Sequence, residues 1–145
     1  MESAPDPYNL KRFVQAQAPV YRSVVEELRG GRKRTHWMWF VFPQLRGLGS
    51  SEMAQRYGIS SLGEARAYLR RNPLGARLRE CARLVNGIQG RSATEIFGSP
   101  DDLKLCSSMT LFAAATDDNE EFVALLDKYY DGRRDRSTLE RLGSG

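Results

Sequence analysis

His36 is the only histidine in the chain, and it sits where chemistry would be easiest to assemble. It lies in residues 30–49, GGRKRTHWMWFVFPQLRGLG, between a basic turn and both tryptophans. An imidazole there can act as general acid or base, or stack on a flat ring. Arg29, Arg32, Lys33 and Arg34 suit an anionic group, and a helix opening at Thr35 would add its positive end to them. Trp37 and Trp39 are two residues apart and cannot share one helical face. Trp37 is expected in the core and Trp39 nearer a rim, where its indole N–H can find a partner. The plainer readings are an edge-of-core histidine and a solvated turn.

A second set lies in residues 101–115, DDLKLCSSMTLFAAA. Asp102 is the carboxylate best placed to stabilise positive charge developing on a sugar, with His36 helping the leaving group. A simpler role for Asp102 is a charge at the positive end of a helix dipole. Lys104, Ser107 and Ser108 mark a face able to line a polar cleft, because a serine in mid-helix must satisfy its hydroxyl. Gln15 and Gln17 stand beside the carbonyl that Pro19 leaves without a donor. The candidate catalytic residues are thus His36 and Asp102. The candidate ligand-binding residues are Gln15, Gln17, Lys33, Arg34, Trp39, Lys104, Ser107 and Ser108. One histidine and two isolated cysteines give no metal-ligand spacing, so no metal and no cofactor is expected. Gly47-Leu48-Gly49 lacks the lysine of a phosphate loop.

These residues need a helical frame. Leu10, Phe13, Val14, Tyr21, Val24, Val25 and Leu28 follow helical spacing, Pro19 divides the run, and Gly30-Gly31 ends it. Residues 36–41 as a strand would be apolar on both faces with no convincing strand to pair with, so a helix capped by Thr35 is expected. Start signals follow at Ser50 or Ser51, Ser61 with Glu64, Asn72-Pro73, Ser92 with Glu95, Ser99-Pro100, and Asp118 with Glu121. Leu62, Ala65 and Leu69 should face inward, as should Leu74, Leu78, Cys81, Val85 and Ile88. Arg77, Arg79, Glu80 and Arg83 should face water. Residues 105–115 carry no charge, which marks a helix surrounded on most sides. The expected fold is all-α: a compact single-domain bundle of about six to eight short and medium helices around a central apolar helix. One domain would span residues 1–145, with a core over about 9–130, a loose lead-in and a charged tail.

Composition narrows the class. The chain has 145 residues, 41% hydrophobic and 28% charged, which suits one globular domain with a real core. A net charge of +4 is mild, and its acidic residues are spread along the chain. Without a recognised nucleic-acid signature, binding to nucleic acid is disfavoured. Cys81 and Cys106 do not make a disulfide framework and are expected as reduced thiols. No stretch has the length of a signal peptide core or a membrane span, so a cytoplasmic protein without membrane contact is expected, as monomer or weak homodimer.

Several strings carry a resemblance. FVQAQAPVY at 13–21, the segment at 31–49, AQRYGI, EARAYL, IFGSPDDLK and CSSMTLFAAA resemble the bacterial and fungal domain of unknown function 1810. Its members are often mislabelled calpastatin. The resemblance covers about residues 10–130 and rests on a specific basic–HWMWF–PQ core. It implies an all-helical single domain and no established activity. FVQAQ at 13–17 is also similar to an early helix of a helical family that handles NAD- and ADP-ribose-linked compounds, but that family's later acidic and tryptophan–lysine elements are lacking.

The function expected is binding of a small anionic, aromatic molecule in a groove near His36. The alternative is a hydrolase or binder of ADP-ribose- or NAD-type N-ribosyl compounds. A nucleic-acid or protein interaction module using the basic turn is the third reading.

Overall fold

The computed structural model describes residues 5–143. Ten helices are found among them: α1 (Lys11–Gln17), α2 (Tyr21–Arg29), α3 (Met38–Val41), α4 (Glu52–Arg56), α5 (Leu62–Arg70), α6 (Leu74–Asn86), α7 (Ala93–Phe97), α8 (Asp101–Ala115), α9 (Glu120–Tyr130) and α10 (Arg136–Gly143). The count exceeds the expected six to eight because α3, α4 and α7 are little more than single turns. No strand occurs among the described residues; one isolated parallel bridge joins Leu45 to Ile59.

Local chemistry sets most boundaries. Pro19 falls between α1 and α2, where its missing N–H and ring forbid a continuous helix. Ser51, Ser61 and Ser92 each accept a backbone N–H from the first turn of the helix that follows. Ser92 and Glu95 close a full capping box.

The uncharged helix is central, as expected. In α8, Leu105, Ser108, Met109, Thr110, Leu111 and Phe112 are all buried, and α5, α7, α9 and α10 pack around it. Aromatic rings continue the core outward from it, with Phe112 against Tyr68 and Phe122, and Tyr68 edge-on to Phe13.

Three local expectations change in the tertiary structure. Thr35 does not cap α3, since its hydroxyl donates to Glu27 Oε2 at 2.6 Å and the helix begins only at Met38. On α5 the inward set is Glu64, Ala65 and Tyr68, while Leu62 and Leu69 are half-buried. Glu64 can turn inward because Arg12 meets its carboxylate at 2.9 Å. Arg77 and Arg79 do not simply face water. Arg77 lies over the Tyr21 ring, and Arg79 lies over Phe122 while pairing with Asp118 and Glu121.

Candidate functional site

The segment around His36 is held by a residue from the preceding helix. Glu27, near the end of α2, accepts four hydrogen bonds: Arg34 N (2.6 Å), Thr35 N (2.9 Å), Thr35 Oγ1 (2.6 Å) and Trp37 Nε1 (3.0 Å). Partial burial would raise its pKa, but these donors outweigh that and hold it below the usual carboxylate range. Glu27 therefore fixes the basic turn and buries Trp37, which packs against Phe42 and Phe97. Trp37 inward and Trp39 half-buried is the arrangement expected from their spacing.

Around the two indoles lie two lysines and one carboxylate. Lys33 Nζ is 3.0 Å from Asp101 Oδ2 and 5.2 Å from the centre of the Trp37 ring. Lys104 Nζ is 3.6 Å from Asp101 Oδ1 and 5.2 Å from the centre of the Trp39 ring. A single carboxylate is thus shared by two ammonium groups, leaving one positive charge in excess. Beside Trp39 is a small cavity of about 10 Å³, walled by residues that include Met38, Gln44, Tyr57 and Lys104.

The other singled-out residues are distributed more widely. Gln17 is buried, and its amide donates to Phe40 O (2.6 Å) and Tyr68 Oη (2.9 Å) and accepts from Arg77 at 3.4 Å. These contacts give it a role in joining α1, α3, α5 and α6. Gln15, Arg34 and His36 are exposed. Asp102 binds its own neighbourhood: Oδ2 accepts from Thr94 Oγ1 at 2.6 Å and Oδ1 from Leu103 N at 2.9 Å. No hydrogen bond or ion pair joins Asp102 to His36 among the described residues. Ser107 returns its hydroxyl to Leu103 O at 3.2 Å, whereas the buried Ser108 hydroxyl has no partner among the described residues. No group of three or more His, Cys, Asp and Glu side chains among the described residues could hold a metal ion. No helix among them is long and apolar enough to cross a membrane.

A ligand-sized concavity lies elsewhere. A groove of about 1100 Å³ is formed by the 45–48 turn, residues 60–63 at the start of α5, and Ser137, Glu140, Arg141 and Leu142 of α10. Two guanidiniums reach it. Arg46 donates to Gly58 O at 3.3 Å and Arg141 to Gly47 O at 3.1 Å, so each is oriented by a carbonyl, with the Glu140 carboxylate also in the groove and drawn to Arg136 at 3.1 Å. Neither pairs with a carboxylate among the described residues. The turn stays close to α4 and α5 because Arg46 N donates to Ile59 O and Ile59 N donates to Gln44 O. Gly58 permits this approach, since a Cβ there would lie 2.7 Å from the Arg46 Cα.

The family described as "Protein of unknown function (DUF1810)" matches residues 7–142. The chain belongs to this family. It is similar to the conserved hypothetical protein Rv1873 from Mycobacterium tuberculosis, known from a crystal structure at 1.38 Å. The two share 74% identity and a TM-score of 0.94, over 95% of this chain and 99% of that one. No curated protein matches the chain. The DUF1810 family and this relative indicate no specific function.

None of the candidate catalytic or ligand-binding residues read from the sequence lines the DUF1810 chain's groove, although Gly47, Leu48, Ser61 and Leu62 do. Arg46 and Arg141 were hidden among twenty-two basic residues, and only the packing of α10 against the 45–48 turn distinguishes them. Glu27 and Asp101 also escaped sequence reasoning. Asp101 had one available signal, because it stands three residues before Lys104, within ion-pair reach on a helix.

Proposed function

We propose that this protein binds a small anionic molecule in the groove between the 45–48 turn, the start of α5 and α10. The observation that carries this reading is a ligand-sized depression holding two guanidiniums oriented by backbone carbonyls. The start of α5 adds a second attraction. Ser61 Oγ accepts from Glu64 N, but the first N–H groups of a helix have no partner within it and carry its positive end. Leu45, Leu48, Leu62 and Leu142 supply an apolar wall for an uncharged part of the ligand. Phosphate esters or carboxylates of nucleotide size fit this mixture of charge and apolar surface. The two unpaired cysteines suit a reducing, cytoplasmic setting.

Isothermal titration with inorganic pyrophosphate and with adenosine monophosphate tests the reading. Arg46→Ala and Arg141→Ala should each weaken binding by roughly two- to fivefold, as expected for loss of one charge-assisted contact made by a solvent-exposed guanidinium. Added salt should weaken it further. No heat with either probe at millimolar concentration, or an affinity indifferent to both substitutions, would overturn it.

A further inference from the structure

We infer that the corner between Trp39 and Lys104 is a second binding point, separate from the groove, that takes one oxygen of a small carboxylate. The Trp39 indole Nε1 is buried and has no acceptor among the described residues. An indole N–H can only donate, so the group must be met by an acceptor. A buried donor without a partner is costly, and the arrangement calls for an acceptor from outside the chain.

The surroundings favour an acceptor that carries negative charge. Lys104 Nζ lies 5.2 Å from the Trp39 ring centre, and its one carboxylate partner among the described residues, Asp101, also serves Lys33. The cavity against Trp39, about 10 Å³, has the size of a single oxygen atom rather than of a whole ligand. Trp39 is half-buried, so the remainder of a carboxylate can project outward.

A second orphan lies on the same helix. Ser108 stands one turn beyond Lys104 on the same face of α8, and its buried hydroxyl also lacks a partner. Its neighbours behave otherwise: Ser107 and Thr110 return their hydroxyls to Leu103 O and Cys106 O. Ser108 does not wall the cavity beside Trp39, so its hydroxyl is a separate orphan within α8.

The experiment is a titration of ¹⁵N-labelled full-length protein with acetate, at constant ionic strength set by chloride. The Trp39 indole N–H resonance reports on the site, and the Trp37 indole, held by Glu27, is an internal control. Acetate up to about 50 mM should shift the Trp39 resonance saturably and leave Trp37 in place, since screening is held constant. Lys104→Met, which keeps the aliphatic stem, should weaken the effect roughly fivefold or more, the loss of one charge-assisted contact. An unchanged urea midpoint in that variant shows that the fold is intact. Arg46→Ala should leave the titration unchanged, which separates this site from the groove. No saturable shift would overturn the inference and leave the cavity to water. An equal shift with chloride alone, or indifference to Lys104→Met, would overturn it as well.

Discussion

Replacing Glu27 should be among the most damaging single changes outside the apolar core. Its carboxylate accepts the Trp37 indole N–H and three donors from Arg34 and Thr35. In Glu27→Ala the two backbone N–H groups lie in an exposed turn and can turn to water. The Trp37 indole cannot, because the side chain is 1% exposed. One unsatisfied buried donor costs about 1–3 kcal/mol, and loss of the charge-assisted contacts around it brings the total to roughly 3 kcal/mol. Glu27→Gln should cost only about 1 kcal/mol. Its carbonyl can stand in for Oε1, which takes three of the donors, and its NH₂ can donate to the Thr35 hydroxyl oxygen in place of Oε2. Urea unfolding at pH 7, with the slope checked for constancy, measures both. Adding Trp37→Phe to Glu27→Ala should recover part of the loss, because it removes the stranded donor. The pH dependence has a definite sign. The folded pKa of Glu27 is lowered, so its stabilisation is complete above the unfolded value of about 4.3 and is lost as pH falls through the lower folded value. Glu27→Ala should therefore flatten the acid limb of the stability curve. A loss in Glu27→Ala below about 0.5 kcal/mol, or an equal loss in Glu27→Gln, would refute the reasoning.

Other expectations follow from the same contacts. Arg12 reaches the backbone carbonyls of Tyr8, Asn9, Arg56 and Gly58 as well as the Glu64 carboxylate, which is 2% exposed. Arg12→Ala should cost about 3–5 kcal/mol by urea unfolding, because it strands a buried charge. Gly58→Ala should cost about 1–3 kcal/mol by the same assay and weaken pyrophosphate binding, because its Cβ would push back the Arg46 backbone. Gly75→Ala should abolish soluble folded protein on expression, since a Cβ there would sit 2.0 Å from Leu69 O. Burial pushes the Cys81 thiol up to about 12 and the Cys106 thiol up to about 11. At pH 8 the buried Cys81 should react with a thiol reagent only after denaturant is added, while the half-buried Cys106 should react slowly without it, as absorbance of the released chromophore will show.

Much of the frame was legible because its causes are local. Pro19 breaks the first helical run wherever the chain goes, and serines three residues before glutamate start helices by bonding within one turn. The uncharged residues 105–115 could only be central, since no face of that helix would suit water. The helical reading of residues 36–41 rested on the want of a partner strand, and α3 is helical, but its start slipped to Met38 because Thr35 found Glu27. That contact spans eight residues and a turn, beyond what periodicity or capping patterns can express. The candidate site suffered more from the same limit. Trp39, Lys33 and Lys104 stand out by type, whereas Asp101, the carboxylate that joins the two lysines, does not, and Asp102 draws notice for a different role. Gln17 looked like a ligand contact and is held in the core by Phe40, Tyr68 and Arg77. An all-helical chain with a buried α8 and a divided first run can be read from residue order alone, because those features follow from bonds and burial within a turn or two. Which charges meet, which indole N–H is left alone and where a groove opens are settled by packing. Those depend on surfaces brought together from as far apart as Gly47 and Arg141.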